Sequence, residues 1–226
     1  MIGFYNYTLV LTFLSLVSAV FGMTQAAMGN FQIAVFCLAF AGLCDAFDGK
    51  VARTKKDRSD NERLFGVQLD SLCDVIGFGA FPALICYMMG VRGYFGGIAI
   101  SYYCICSVIR LAYFNMIETN RMQSEDPGEK VFYGLPITSI TVILPVIFLL
   151  KFCISDRAFP IVLVVMLFAV GTCFILNFKM HKPSNWMLAG MILVVAAAVI
   201  VILLFSRYQS HHTDTESLVA RTLGGR

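Results

Sequence analysis

Apolar residues in this chain come in long blocks rather than in alternation. Blocks of spanning length occupy about 5–27, 31–50, 64–89, 96–117, 135–152, 158–178 and 186–206. A helix rises about 1.5 Å per residue, so about 20 residues cross the hydrocarbon core of a bilayer. The fifth block is marginal and contains Pro136 and Pro145. The pattern predicts an all-α integral membrane protein, a bundle of six to seven transmembrane helices. In lipid such helices satisfy their own backbone polar groups. Residues 1–206 are expected to form a single membrane-embedded domain, and 207–226 a polar, flexible tail. The first block has no basic leader and no convincing cleavage site, which predicts a retained span rather than a signal peptide.

Composition strengthens this picture. Of 226 residues, 58% are hydrophobic and 14% charged, too apolar a balance for a soluble domain of this length to hide. The eight cysteines are scattered, most within apolar blocks and none as C-x-x-C, and read as small apolar filler rather than metal ligands or disulfides. The net charge of +3 is small, and its placement matters more. Lys50, Arg53, Lys55, Lys56, Arg58 and Arg63 crowd the segment between the second and third blocks. The neighbouring connections near 28–30 and 90–95 are almost free of basic residues. The positive-inside rule puts 50–63 in the cytoplasm. By parity, 118–133 and Lys179–Lys182 fall on the same side. His211 and His212 read as solvated tail. Nothing in the sequence calls for a nucleic-acid partner.

The chemistry concentrates at one place. Asp45 and Asp48 lie three residues apart at the end of the second block, and Asp70 and Asp74 four apart at the start of the third. At about 100° per residue, each pair shares a helix face. Two antiparallel helices could then aim all four carboxylates into one cavity. Charges near membrane depth cost several kcal/mol unless paired, hydrated or metal-bound. One arginine, Arg53, cannot neutralise four acids. A hard dication can, and an all-oxygen set suits Mg²⁺ or Mn²⁺, with Ca²⁺ also open. Carboxylate-held Mg²⁺ commonly serves phosphates. Gly49, Ala52 and Gly66 are small residues on the inward faces, where they permit close helix approach or leave room for a nucleotide.

These residues resemble the signature of the CDP-alcohol phosphatidyltransferases, D-x-x-D-G-x-x-A-R, a spacer, then G-x-x-x-D-x-x-x-D. Asp45, Asp48, Gly49, Ala52, Arg53, Gly66, Asp70 and Asp74 match every fixed position. The usual spacer is eight residues; residues 54–65 supply twelve, which a hairpin absorbs at little cost. Leu69–Asp74 with Phe78-Gly79 and Pro82, Arg110–Asn115, and Tyr133–Pro136 resemble the bacterial and archaeal phosphatidylserine synthases of that family. The resemblance runs from about residue 8 to 150.

The resemblance implies an integral enzyme of the cytoplasmic membrane, its site facing the cytoplasm. It would transfer a phosphatidyl group from CDP-diacylglycerol to L-serine and release CMP. Asp45, Asp48 and Asp70 would hold metal. Asp74 would be the general base or share metal duty. Gly49, Ala52, Arg53 and Gly66 would line the site for the CDP moiety. Arg110 and Asn115 are candidates for a phosphate or the serine carboxylate, Arg110 having an interfacial, headgroup-directed role as its alternative. Tyr133 is a candidate for the acceptor pocket or an interfacial aromatic. A homodimer is expected. Another acceptor, glycerol 3-phosphate or inositol phosphate, is the near rival. An ion-conducting protein would distribute its acids along a path, and a catalytically dead lipid-binding protein would not need them.

Overall fold

The computed structural model describes residues 3–52, 54, 55, 57, 59–123, 132–180, 190 and 193–202, with side chains except at 121–123, 132, 133, 179 and 180. Arg53, the tail 207–226 and the side chain of Tyr133 lie outside what is described. Among the described residues the apolar blocks form helices α1 (Tyr7–Ala27), α2 (Phe31–Ala52), α3 (Asp60–Met88), α4 (Gly93–Gln123), α5 (Ile137–Phe152), α6 (Phe159–Ile175) and α7 (Leu193–Ile202). The first four are long and apolar enough to cross a membrane; the last three are shorter. The expected all-α architecture is therefore present with four spans of membrane length. Pro145 sits inside α5.

Outward faces are apolar. Val17 and Phe21 on α1 are 63% and 53% exposed, and Ile161 and Val165 on α6 are 65% and 61% exposed. Each pair is one turn apart, so these helices turn a hydrophobic stripe outward. Water would penalise such stripes, whereas lipid tails are their natural surroundings.

The α1–α2 seam is built from small side chains. Thr12, Ser15, Ala19, Gly22 and Ala26 are buried on α1 at steps of three and four. Facing them on α2 are Ala34, Cys37, Leu38, Ala41 and Cys44. Such residues let two backbones approach closely, the usual means of joining helices in lipid. Two hydroxyls tie the seam: Ser15 Oγ donates to the Ala41 carbonyl at 3.1 Å and Ser18 Oγ to that of Cys37 at 3.0 Å. A Cβ on Gly22 would collide with the Phe81 ring.

Helix α3 starts four residues before the apolar block that predicts it. Ser59 caps it, accepting from the Glu62 N–H, and Asp60 and Glu62 sit in the first turn. Cap and acids offset the exposed donors of the helix start and extend the helix into polar sequence. Lys55 pairs with Glu62 at 2.5 Å, and Glu62 also accepts from Asn6. The second half of the spacer thus becomes an added helical turn, held against the N-terminal segment. Tyr7 and Thr54 join the same contact through their hydroxyls, 3.1 Å apart.

In its middle, α3 changes winding. Residues Val75–Ala80 form a π turn, and the Phe81 N–H reaches back five residues to the Ile76 carbonyl. Proline explains the break. Pro82 has no N–H to offer the Phe78 carbonyl four residues earlier, and its ring crowds that oxygen. Helix α4 fills the gap: the buried Tyr103 hydroxyl donates to the Phe78 carbonyl at 2.6 Å. Gly79 permits the approach, since a Cβ there would lie 2.8 Å from Ser107 Oγ.

Helix α4 also packs on α6. Tyr102 and Thr172 share a hydrogen bond at 3.0 Å, and the rings of Tyr103 and Phe174 lie 5.6 Å apart. The segments after α4 and α6 meet as two short antiparallel strands, β1 (Phe132–Tyr133) and β2 (Lys179–Met180). The described ends of these two polar segments, 132–133 and 179–180, therefore meet at one place in the bundle. Gly134 closes this junction at φ +71°, its N–H on the Phe178 carbonyl at 2.9 Å. A side chain there would be strained by backbone and crowded by the carbonyls of Phe174 and Leu176, each 3.0 Å from a Cβ.

Candidate active site

The small-residue seam of α1 and α2 ends at Asp45 and Asp48. The α-wound half of α3, before the π turn, carries Asp70 and Asp74. Antiparallel packing brings the two pairs together. One carboxylate oxygen each from Asp45, Asp70 and Asp74 lies within 4.8 Å of the others. The Asp45 carboxyl meets that of Asp74, and the Asp48 carboxyl that of Asp70. All four are half-buried. On the same helix Leu72 is 65% exposed, so α3 turns its acids inward and its leucine outward.

The predicted convergence of four acids is thus observed, with one refinement. Asp45, Asp70 and Asp74 form the tight triangle. Asp48 stands beside it, accepting from Thr12 Oγ1 at 3.4 Å and from the Gly49 N–H. Thr12 escapes a reading of the sequence because it lies in an apolar run. Its position on the small-residue stripe of α1 is the signal that marks it.

Gly49 and Gly66 face open space; a Cβ on either would meet nothing within 4 Å. That is the condition for leaving room beside the acids rather than for packing. Ala52 ends α2 and is half-buried. Asn115 is drawn to the site: Ser71 Oγ donates to its Oδ1 at 2.6 Å, and its Nδ2 reaches Gln68 Oε1 at 3.4 Å. Ser71 lies between Asp70 and Asp74, so α4 is fastened to α3 at the acids themselves. Arg110 is buried, and its Nε donates to the Leu135 carbonyl at 3.1 Å. One edge of the guanidinium thus braces the start of α5. That contact differs from the headgroup-directed arginine considered as its alternative.

The donor set can be tested for a cation. Three carboxylate oxygens share one small space, with no cationic side chain hydrogen-bonded to them among the described residues. Asp70 Oδ1 is buried and has no hydrogen-bond partner. A buried carboxylate oxygen without a partner is costly, and a hard dication removes that cost together with the mutual repulsion. The residues fit a divalent metal.

Beside the acids runs an apolar groove of about 230 Å³ between α2, α5 and α7. Its lining includes Phe36, Leu43, Ala46, Thr141 and Val199. Ala46 adjoins Asp45 in sequence, so polar site and groove share the last turns of α2. Phe36 and Leu43 are exposed, which places part of the rim on the outer surface of the bundle.

Comparison with known proteins agrees with this arrangement. The sequence model of the CDP-alcohol phosphatidyltransferases matches residues 5–174. A CDP-diacylglycerol–serine O-phosphatidyltransferase of Helicobacter pylori (strain ATCC 700392 / 26695) is 32% identical over 176 residues, covering 75% of this chain and 70% of that protein. One from Saccharomyces cerevisiae is 36% identical over 106 residues, 46% of this chain and 37% of the yeast protein. An archaetidylserine synthase of Methanothermobacter thermautotrophicus is 36% identical over 110 residues, 48% of this chain and 43% of that one. The matched region holds both acid pairs, the two open glycines and the helices that bring them together, and the chain belongs to the CDP-alcohol phosphatidyltransferase family.

Proposed function

We propose that this protein transfers the phosphatidyl group of CDP-diacylglycerol to the hydroxyl of L-serine, giving phosphatidylserine and CMP. The observation that carries the reading is the carboxylate triangle of Asp45, Asp70 and Asp74, with its orphaned Asp70 oxygen. The relatives' names support serine as acceptor.

Asp45, Asp48, Asp70 and Asp74 would hold Mg²⁺ or Mn²⁺, with Ca²⁺ a third candidate. Bound there, the ion supplies positive charge against the pyrophosphate and the departing phosphate. The protein's own groups do the rest. Asp74 takes the proton of the serine hydroxyl as its oxygen attacks the lipid-side phosphorus. A P–O bond forms to serine, the P–O bond to CMP breaks, and CMP departs with the bonding electron pair. Gly49, Ala52, Arg53 and Gly66 border the nucleotide; the open space at the two glycines supports this. Asn115, positioned by Ser71, and Arg110, braced on Leu135, face the acceptor side. The groove beside Ala46 gives an acyl tail of the donor an apolar berth while its headgroup sits at the acids.

The same reading places α5, α6 and α7 in the bilayer with α1–α4, making six or seven spans. It puts the acid-bearing end in the cytoplasm, where nucleotide and serine arrive from water. The basic segment between α2 and α3 supports that orientation. A homodimer is part of the proposal on family grounds.

The test is CMP release by purified protein from CDP-diacylglycerol with Mg²⁺ or Mn²⁺ and each acceptor in turn. Serine-dependent release is expected, as is a loss of at least about a hundredfold in Asp74→Asn with the fold retained by circular dichroism. Release only with glycerol 3-phosphate or inositol phosphate would overturn serine. Unchanged turnover in Asp74→Asn would remove that residue from the mechanism.

A further inference from the structure

The π turn of α3 lies immediately after Asp74 and has no obvious place in the chemistry. Its geometry nevertheless decides where Asp70 and Asp74 point. A π turn accommodates one extra residue; rewinding it to α would rotate everything before it by about 100° relative to everything after. The half after the turn is anchored, since Phe81, Ile85 and Cys86 are fully buried. Asp70 and Asp74 both lie before it, so a rewound helix would swing them together away from Asp45 and Asp48 on α2. A rotation of that size would carry them toward the outward direction that Leu72 now occupies.

Pro82 disfavours regular winding but does not by itself fix the angle of the turn. Gly77 and Gly79 lie within it and restrict the backbone least of all residues. Pro82 denies the Phe78 carbonyl its helical donor but cannot satisfy it. The Tyr103 hydroxyl does so at 2.6 Å, from a side chain with no exposed surface. We propose that Tyr103 is a positioning residue of the site. By donating to the Phe78 carbonyl it locks the π winding of α3, and so sets the angular register in which Asp70 and Asp74 meet Asp45. It touches neither substrate nor ion.

The inference rests on the acids forming one metal site, and its test reads metal as well as turnover. Mn²⁺ affinity is measured by electron paramagnetic resonance on purified wild type and Tyr103→Phe, alongside kcat and the KM for serine. Tyr103→Phe is expected to bind Mn²⁺ about tenfold more weakly and to lose kcat in similar measure, the scale of one buried hydrogen bond, with KM for serine little changed. Tyr102→Phe, whose hydroxyl serves Thr172 instead, is expected to match wild type. The double variant Pro82→Ala/Tyr103→Phe separates positioning from mere satisfaction of a buried carbonyl. Tyr103→Phe leaves the Phe78 carbonyl unpaired and should melt lower; the added alanine supplies the missing N–H in α winding, so the melting temperature should recover while Mn²⁺ affinity stays low. Recovery of both would overturn the proposal, as would Tyr103→Phe binding Mn²⁺ like wild type, or a wild type that binds none. If wild type binds Mn²⁺ but releases no CMP with serine, the serine reading fails, and the comparison with Tyr103→Phe still decides the role of Tyr103.

Discussion

Two seams deliver carboxylates to the same cavity by different means. Between α1 and α2, a ladder of Thr, Ser, Ala and Gly lets two regular helices lie close, and Asp45 and Asp48 simply continue α2 at the ladder's end. Between α3 and α4, the helix is not regular. A proline opens α3 into a π turn, and α4 repairs it with Tyr103 and approaches over Gly79. The first seam sets distance through side-chain volume. The second sets rotation through backbone winding. A site that gathers four carboxyl groups into one cavity needs both quantities fixed, and each seam supplies one.

That division can be broken in order of effect. Removing an acid on either side comes first. Asp45→Asn and Asp70→Asn are each expected to cut CMP release at least about a hundredfold, equivalent to about 2.7 kcal/mol or more, and to weaken Mn²⁺ binding together. If one kept wild-type Mn²⁺ affinity while the other lost it, the seams would not meet on one ion. Next is Gly22→Leu, which would drive a side chain into the Phe81 ring and into Cys37, whose Cβ lies 2.8 Å from where the new Cβ would stand. It should cost about 2–3 kcal/mol of stability, read as a lower melting temperature in detergent. Weakest are the hydroxyl contacts. Ser71→Ala frees Asn115 and should raise the KM for serine about fivefold, the worth of about 1 kcal/mol. Thr12→Val leaves only a 3.4 Å contact to Asp48 unmade and should change turnover about twofold. A larger effect of Thr12→Val than of Ser71→Ala would mean that the α1 side governs the acids more than its geometry suggests.

Much of this is legible in the sequence, and the division follows from what is local. Apolar blocks fix where helices lie, because each helix satisfies its own backbone. The spacing of Asp45 to Asp48 and of Asp70 to Asp74 fixes a shared face, because helical period is local too. Helix α3 begins earlier than its apolar block because Ser59 and two acids make a helix start from polar residues. What sequence cannot supply is partnership across helices. Ser71 stands inside the acid motif, yet its bond to Asn115 joins residues 44 apart. Thr12 is 36 residues from Asp48 and looks like any threonine in a span. Pro82 is visible as a motif residue. Its consequence for winding depends on Tyr103, 25 residues beyond Phe78, and so on the fold. Arg110 reads as an anion-binding candidate from its motif, and the structure adds that part of its donor capacity already braces Leu135.

The groove along α2, α5 and α7 has a rim on the outer surface of the bundle at Phe36 and Leu43. On the proposed reading, a two-tailed donor that reached the acids by that route would travel within the leaflet and never pass through bulk water. Its effective concentration would then be its mole fraction among neighbouring lipids, and diluting the bilayer with inert phospholipid would starve the catalyst even with the amount of donor per millilitre held constant.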